Sequence, residues 1–407
     1  MVIIGGGKAG ARAAVALREN GHDGAITLIT SEAHAPYDRP PLSKAMITDT
    51  DTPAPPYLTD EALLASINVS LITSNPAVEL DRTAKAVFLD NGTRVPYDKL
   101  LLATGALPRK LLVPGADLPQ VRTLRTYEDA MALREAITLG KHIIIIGGGF
   151  IGLEVASSAR KRGAEVTLIE GLPRVLSRGV PEDVAAVVAK RHADEGVDIR
   201  TSTGLTGFEA KGDRVGVQLA DGSGIIGDLV LVGIGAVPVT ELAAQAGLAI
   251  DNGVAVDDEL RTSDPEIYAA GDCVSFPLTV YGGRRVRLES WRSAQDQGEL
   301  AAANMLGKGQ KLLTVPWFWS DQYELTLQIA GLQDEGTHNV RRDLSETAFV
   351  LFHIAADGRL VAASGIGEGN AVAKDIRLAE MIIAKGLKPA PEQLADPTVN
   401  LKKLLAS

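Results

Sequence analysis

One glycine pattern occurs twice in this chain, at Gly5-Gly6-Gly7-Lys8-Ala9-Gly10 and again at Gly147-Gly148-Gly149-Phe150-Ile151-Gly152. Each copy follows an apolar run, Val2 to Ile4 or Ile143 to Ile146, and opens a small-residue helical pattern that stops at a glycine able to take the left-handed C-cap conformation, Gly21 or Gly163. A strand that turns this tightly into a helix uses the first glycine for the turn. The second lets backbone amides approach a pyrophosphate, and the third lets the helix pack closely on the strand. The phosphates then meet orphan N–H groups and the positive end of the helix dipole. A lone copy is also compatible with a plain tight turn, whereas two complete copies predict two bound dinucleotides.

A second strand and an acidic residue should follow each motif. Ile26 to Ile29 leads to Ser31-Glu32, and Val166 to Ile169 leads to Glu170. Both lie at about the distance from the glycines that a ribose-binding carboxylate needs. Such a carboxylate accepts hydrogen bonds from ribose hydroxyls and repels a 2′-phosphate, so the second site is predicted to take NADH rather than NADPH.

Composition narrows the setting. With 407 residues, 45% of them hydrophobic, the chain suffices for two or three domains with buried cores. No charge-free apolar run approaches membrane-spanning length, and the N-terminus lacks the pattern of a signal peptide, so a soluble, cytoplasmic protein with no membrane partner is expected. The single cysteine, Cys273, rules out an internal disulfide and a Cys-x-x-Cys pair. A net charge of −10 argues against nucleic acid as a partner. No bound metal is expected.

The two halves resemble each other beyond the glycines. Val87-Phe88-Leu89-Asp90-Asn91-Gly92 reads as a hairpin, followed by the strand Leu100 to Leu102 and Ala103-Thr104-Gly105. Val215 to Leu219 with Asp221-Gly222, then Leu229 to Val232 with Gly233-Ile234-Gly235, repeats this order. The fold class is therefore α/β: two Rossmann-like dinucleotide-binding domains, one inserted in the other. Ile267 to Asp272 returns the chain to the first. The expected boundaries are 1–109 with 237–311 for the first domain and 110–236 for the second. A C-terminal α+β domain, 312–407, follows from a hairpin at Phe349 to Ala362 and an amphipathic helix at Arg377 to Ile383.

Four segments, Pro36-Tyr37-Asp38-Arg39-Pro40-Pro41-Leu42-Ser43-Lys44, Gly147 to Glu154, Ala270-Gly271-Asp272-Cys273 and Pro316-Trp317-Phe318-Trp319-Ser320-Asp321-Gln322, together resemble FAD-dependent ferredoxin reductases. The likeness spans nearly the whole chain. It is greatest to the NADH:ferredoxin reductase components of Rieske-type aromatic-ring dioxygenases and to putidaredoxin reductase, which serves a cytochrome P-450. The resemblance implies a glutathione-reductase-like arrangement with FAD in the first domain and NADH in the second. Flavin contacts would then fall on Gly5, Gly7, Ala9, Gly10, Ser31 or Glu32, Arg39, Lys44, the backbone near Ala77, Thr104, Gly105, Arg125, Asp272 and Trp291, with Trp319 lining the exit toward an acceptor. Nicotinamide contacts would fall on Gly147, Gly149, Phe150, Ile151, Gly152, Glu154, Glu170 and Gly235.

Lys44 and Glu154 are the expected catalytic pair, placing the nicotinamide carboxamide and tuning the flavin rather than acting as general acid and base; a structural helix-end carboxylate is the alternative for Glu154. Phe150 is read either as a lid on the nicotinamide pocket or as a core aromatic. Tryptophan at 291, as in dioxygenase-type reductases, favours a Rieske-type 2Fe–2S ferredoxin as partner, with a P-450-type ferredoxin or rubredoxin as the alternative. Arg284, Arg285, Arg287 and Arg292 form a basic run that would steer an acidic ferredoxin, or a solvated charged loop. A different class, an NADH-sensing flavoprotein that mainly binds partners, would turn over slowly.

If Glu170 reads the ribose, kcat/KM for NADH will exceed that for NADPH in steady-state assays; a preference for NADPH would refute that role.

Overall fold

The computed structural model describes residues 1–51 and 53–406. They divide into two compact units. The first comprises Met1–Asp38, Ala54–Leu107 and Val237–Val315, and the second Arg39–Pro53, Pro108–Ala236 and Pro316–Ser407.

The first unit is built on a five-stranded parallel sheet in the order Ile267–Ala269, Leu100–Leu102, Val2–Ile4, Ile26–Ile29, Val69–Ile72. Val2–Ile4 and Leu100–Leu102 are buried without alternation, the pattern of strands covered on both faces. The returning strand Ile267–Ala269 pairs with Leu100–Leu102, which puts a segment from late in the chain at the edge of a sheet begun at residue 2. Helix Lys8–Glu19 follows the first glycine motif and ends with Gly21 at φ +85°, the left-handed turn that its position requires. Helix Trp291–Met305 packs on it so closely that a Cβ at Gly298 would stand 2.3 Å from the carbonyl oxygen of Ala9.

The second unit repeats the architecture. Its parallel sheet runs Asp198–Arg200, Glu165–Ile169, His142–Ile146, Leu229–Val232, Val121–Arg122. Helix Phe150–Lys161 follows the second glycine motif, and Gly163 at φ +78° closes it. Each parallel sheet carries a three-stranded antiparallel neighbour at the predicted hairpin: Ala77–Asp81, Ala86–Leu89 and Arg94–Pro96 in one, Leu205–Lys211, Arg214–Leu219 and Gly224–Gly227 in the other.

The same unit contains the C-terminal sheet, five antiparallel strands in the order Trp317–Gln322, Leu325–Gly331, Leu360–Glu368, Phe349–Ile354, His338–Asp343, with helix Ala373–Ala384 against it. One apolar cluster runs from Ile145, Leu153 and Val155 to Leu327, Ile329, Leu351 and Ile366, so this sheet shares its core with the second nucleotide fold. Residues 39–53 join the same core through the fully buried Ile47. Arg134 and Arg162 donate to the Ile47 carbonyl at 3.2 and 2.9 Å, satisfying a helix end that would otherwise be orphaned.

Within the C-terminal sheet His353 is buried, with Nε2 3.2 Å from Ser364 Oγ, and burial lowers its pKa to about 4. The unfolded chain takes up a proton near pH 6.5 while the folded one does not. His353 therefore costs no stability above about pH 6.5 and up to roughly 3 kcal/mol as pH falls toward 4. Urea midpoints measured across that range should fall less steeply for His353→Gln than for the parent; parallel slopes would contradict it.

Candidate functional site

The two glycine loops have the same local geometry. Gly5 and Gly147 adopt φ +119° and +105°, and a Cβ there would lie 2.0 Å from the Ala103 carbonyl oxygen or 2.4 Å from that of Gly233. Gly10 and Gly152 let the helix approach the loop, since a Cβ would sit 1.9 or 2.2 Å from the carbonyl oxygen of Gly5 or Gly147. The middle glycines differ. A Cβ on Gly7 would meet nothing within 4 Å, and one on Gly149 only the Gly233 carbonyl oxygen at 3.9 Å. Packing within the protein explains the outer glycines of each loop but not the middle one, whose bare backbone suits a ligand that comes closer than a side chain would allow. The residues fit the pyrophosphate of a dinucleotide at both loops.

Ala9, Ser31, Glu32, Ala77, Thr104, Gly105, Asp272 and Trp291 all belong to the first unit. Glu32 accepts a hydrogen bond from the Tyr37 hydroxyl. Thr104 Oγ1 donates to the Val239 carbonyl at 2.6 Å, and the Val239 amide donates to Gly105 at 2.9 Å. Gly271, at φ +87°, donates its N–H to Gln297 Oε1 at 2.7 Å, so the long helix fixes the turn that carries Asp272. Cys273 is fully buried with its thiol pKa raised by desolvation, the behaviour of a small packing residue. The Trp291 indole donates to Asp38 at 2.6 Å and carries Lys8 Nζ 3.7 Å above its ring.

Arg39, Lys44, Arg125 and Trp319, placed by the sequence among the flavin residues or at the exit to an acceptor, belong to the second unit with all the nicotinamide candidates. Arg39 donates to the Arg125 carbonyl at 2.6 Å. Trp319 stacks on Trp317 at 5.4 Å and donates to Asp321 at 3.1 Å. Glu170 accepts from the Gly148 amide at 2.7 Å and from Leu172 at 2.8 Å, and Leu176 donates to the Gly148 carbonyl at 2.9 Å. The acidic residue and the loop after it therefore hold the two backbone groups of Gly148. Ile151 is half-exposed on the first helical turn, and Gly235, at φ +103°, has open space where a Cβ would point. Phe150 meets Phe318 edge to face, ring centroids 4.5 Å apart, and borders the shared core.

Lys44 and Glu154 come together as the sequence anticipates: Lys44 Nζ lies 2.7 Å from Glu154 Oε2. Glu154 is buried in the first turns of helix Phe150–Lys161, and Lys44 is partly exposed. Two residues that the sequence did not single out complete the carboxylate's shell. Ser43 donates to Oε2 at 2.5 Å and Ser320 to Oε1 at 2.6 Å. Strand alternation carried a signal for the second, because period two puts Phe318, Ser320 and Gln322 on one face of Trp317–Gln322, and polar residues among apolar ones on a buried face need partners.

The basic run does not form a bare cationic patch. Arg285 donates to the Val256 and Ser275 carbonyls and pairs with Asp251, Arg287 pairs with Glu289, and Arg292 lies 3.8 Å from Asp296. Arg285, Arg287 and Arg292 thus each face a carboxylate.

Among the described residues no helix is long and apolar enough to cross a membrane. Residues 1–298 match the pyridine nucleotide-disulphide oxidoreductase family, and residues 317–405 match the reductase C-terminal family. The anthranilate 1,2-dioxygenase system ferredoxin–NAD(+) reductase component of Burkholderia cepacia is 40% identical over 99% of this chain and 98% of its own length. Rhodocoxin reductase of Rhodococcus erythropolis is 41% identical over 100% of this chain and 94% of its own. The crystal structure of the covalent putidaredoxin reductase–putidaredoxin complex superposes with a TM-score of 0.92 at 37% identity, covering 100% of this chain and 97% of that one. With the doubled glycine loop and the C-terminal sheet both accounted for, the chain belongs to the pyridine nucleotide-disulphide oxidoreductase family and ends in a reductase C-terminal domain.

Proposed function

We propose that this protein is an NADH-dependent ferredoxin reductase that holds FAD at the first glycine loop and NADH at the second. The observation that carries this reading is the pair of loops in which the outer glycines are required by packing and the middle ones, Gly7 and Gly149, have room that no close packing contact claims. The names of similar proteins support the pair of redox partners, since they include a ferredoxin–NAD(+) reductase component.

NADH gives up two electrons together and an iron–sulfur cluster takes one at a time; a bound flavin bridges the two because it accepts a pair and releases electrons singly. The chain's own residues bind and orient. Amides of the second loop and the N-terminus of helix Phe150–Lys161 hold the nicotinamide dinucleotide's pyrophosphate, and Glu170 holds its ribose. The Lys44–Glu154 pair sets the carboxamide, which fixes the ring's angle and converts a collision into an ordered approach. In the first unit, Thr104, Gly105 and the Gly271-Asp272 turn are held by bonds to Val239 and Gln297, so groups that meet the flavin are ordered beforehand. We assign residues 1–109 with 237–311 to FAD, 110–236 to NADH and 312–407 to the C-terminal domain. We place the protein in the cytoplasm, where NADH is supplied.

For the acceptor we favour a Rieske-type 2Fe–2S ferredoxin, on Trp291 and on a relative named for a dioxygenase system. A P-450-type ferredoxin or rubredoxin is the second reading, supported by a relative named rubredoxin–NAD(+) reductase at 41% identity over 81% of this chain.

In anaerobic stopped flow, Glu154→Gln should slow flavin reduction by NADH about tenfold or more, because the carboxamide loses a charged anchor. An unchanged rate would remove Glu154 from the reaction.

A further inference from the structure

The Glu154 carboxylate terminates a series of buried hydrogen bonds that begins on a different helix. His192 Nε2 lies 2.9 Å from Gln322 Oε1, Gln322 Nε2 lies 3.2 Å from Ser320 Oγ, and Ser320 Oγ lies 2.6 Å from Glu154 Oε1. His192 stands on helix Glu182–Asp194, Gln322 and Ser320 on the first strand of the C-terminal sheet, and Glu154 on helix Phe150–Lys161. All four residues are buried, whereas Lys44, on the far oxygen of Glu154, reaches partial exposure.

The chemistry of the carboxylate fixes the direction of every bond. A carboxylate only accepts, so the single Ser320 proton goes to Glu154. The Ser320 oxygen must then accept, which turns the NH₂ group of Gln322 toward it and the Gln322 carbonyl toward His192. That carbonyl requires an N–H from His192 Nε2, leaving Nδ1 as acceptor, 3.5 Å from the Tyr323 hydroxyl. Burial lowers the His192 pKa to about 4, so the ring is neutral near pH 7 and one tautomer satisfies both neighbours. Each donor is thus aimed at Glu154, and hydrogen bonds aligned in this way polarise one another.

We propose that His192, Gln322 and Ser320 form a one-way donor chain that positions the Glu154 carboxylate for its work with Lys44, making the C-terminal sheet an orienting element of the nicotinamide site. The inference rests on the reading of Glu154 given above. Attachment of the sheet does not need this chain. The shared apolar core and the two bonds from Arg191 to Glu324, at 2.6 and 3.0 Å, already fasten the sheet to the helix that bears His192. Burying four polar groups for attachment alone would be costly, whereas ordering a carboxylate is a use that apolar side chains cannot supply.

The test is a double-mutant cycle on the holoenzyme with a readout outside turnover. Ser320→Ala should slow flavin reduction at saturating NADH about tenfold, with the NADH dissociation constant changed less than about threefold. Ser320→Thr, which keeps the hydroxyl, should recover most of the rate. In a Glu154→Gln background Ser320→Ala should cost less than about twofold, because the charged carboxylate whose orientation it sets is gone. Equal losses in both backgrounds would reduce Ser320 to a structural residue and overturn the chain. Separately, ¹⁵N resonances of the His192 imidazole, identified by their absence in His192→Asn, should report the neutral Nε2–H tautomer; an Nδ1–H tautomer would reverse the donor order and overturn it too. If Glu154→Gln alone leaves the rate unchanged, the assignment of Glu154 fails; a slow Glu154→Gln with additive losses defeats the donor chain alone.

Discussion

The structure depends first on close approach of backbone to backbone at the two strand-to-helix turns. At Gly5 and Gly147 the carbonyl just past the neighbouring strand, of Ala103 or Gly233, stands where any Cβ would be, and at Gly10 and Gly152 the loop's own carbonyl does. These contacts set each helix start against the end of its sheet, so the unpaired amides of the first turn gather at one point. A substituent at any of the four positions would push the helix away from the strand and disperse those amides. The middle glycines show what the arrangement serves, because among the described residues a Cβ there would meet nothing within 4 Å at Gly7 and only the Gly233 carbonyl oxygen, at 3.9 Å, at Gly149.

Repetition of this turn explains the architecture. Each copy brings a parallel sheet with two buried faces and an antiparallel hairpin beside it, and each needs its own core. The second unit extends that core into the C-terminal sheet through Leu153, Leu327, Ile329 and Leu351. A strand built mainly for packing thereby presents Ser320 and Gln322 to the interior, where the buried Glu154 side chain accepts the Ser320 hydroxyl. Shared packing and the ordering of Glu154 are two consequences of one interface within that unit.

Much of this was legible in the residues because it depends on local rules. The glycine spacing, the C-cap glycines at 21 and 163, the hairpin at Asp90-Asn91-Gly92 and the pairing of Lys44 with Glu154 followed from turn chemistry and from the segments that carry the resemblance. Long-range partners were not legible. Nothing near Ser43 or Ser320 in the chain points to Glu154, which lies more than a hundred positions from either. The partners of the basic run at 284–292 were not legible for the same reason, since Asp251, which pairs with Arg285, is remote in sequence. The place of Ile47 in the core of the second unit, with Arg134 and Arg162 reaching its carbonyl, is announced by no periodicity.

The central claim is that one flavin, held at the first glycine loop, takes electrons from NADH held at the second. Absorbance of the purified protein, followed anaerobically during titration with NADH, tests it most directly. The account predicts a yellow protein whose bound chromophore is FAD and whose visible absorbance is bleached by one equivalent of NADH. A polypeptide that stays colourless after incubation with FAD, or a bound flavin that NADH leaves oxidised, would contradict it.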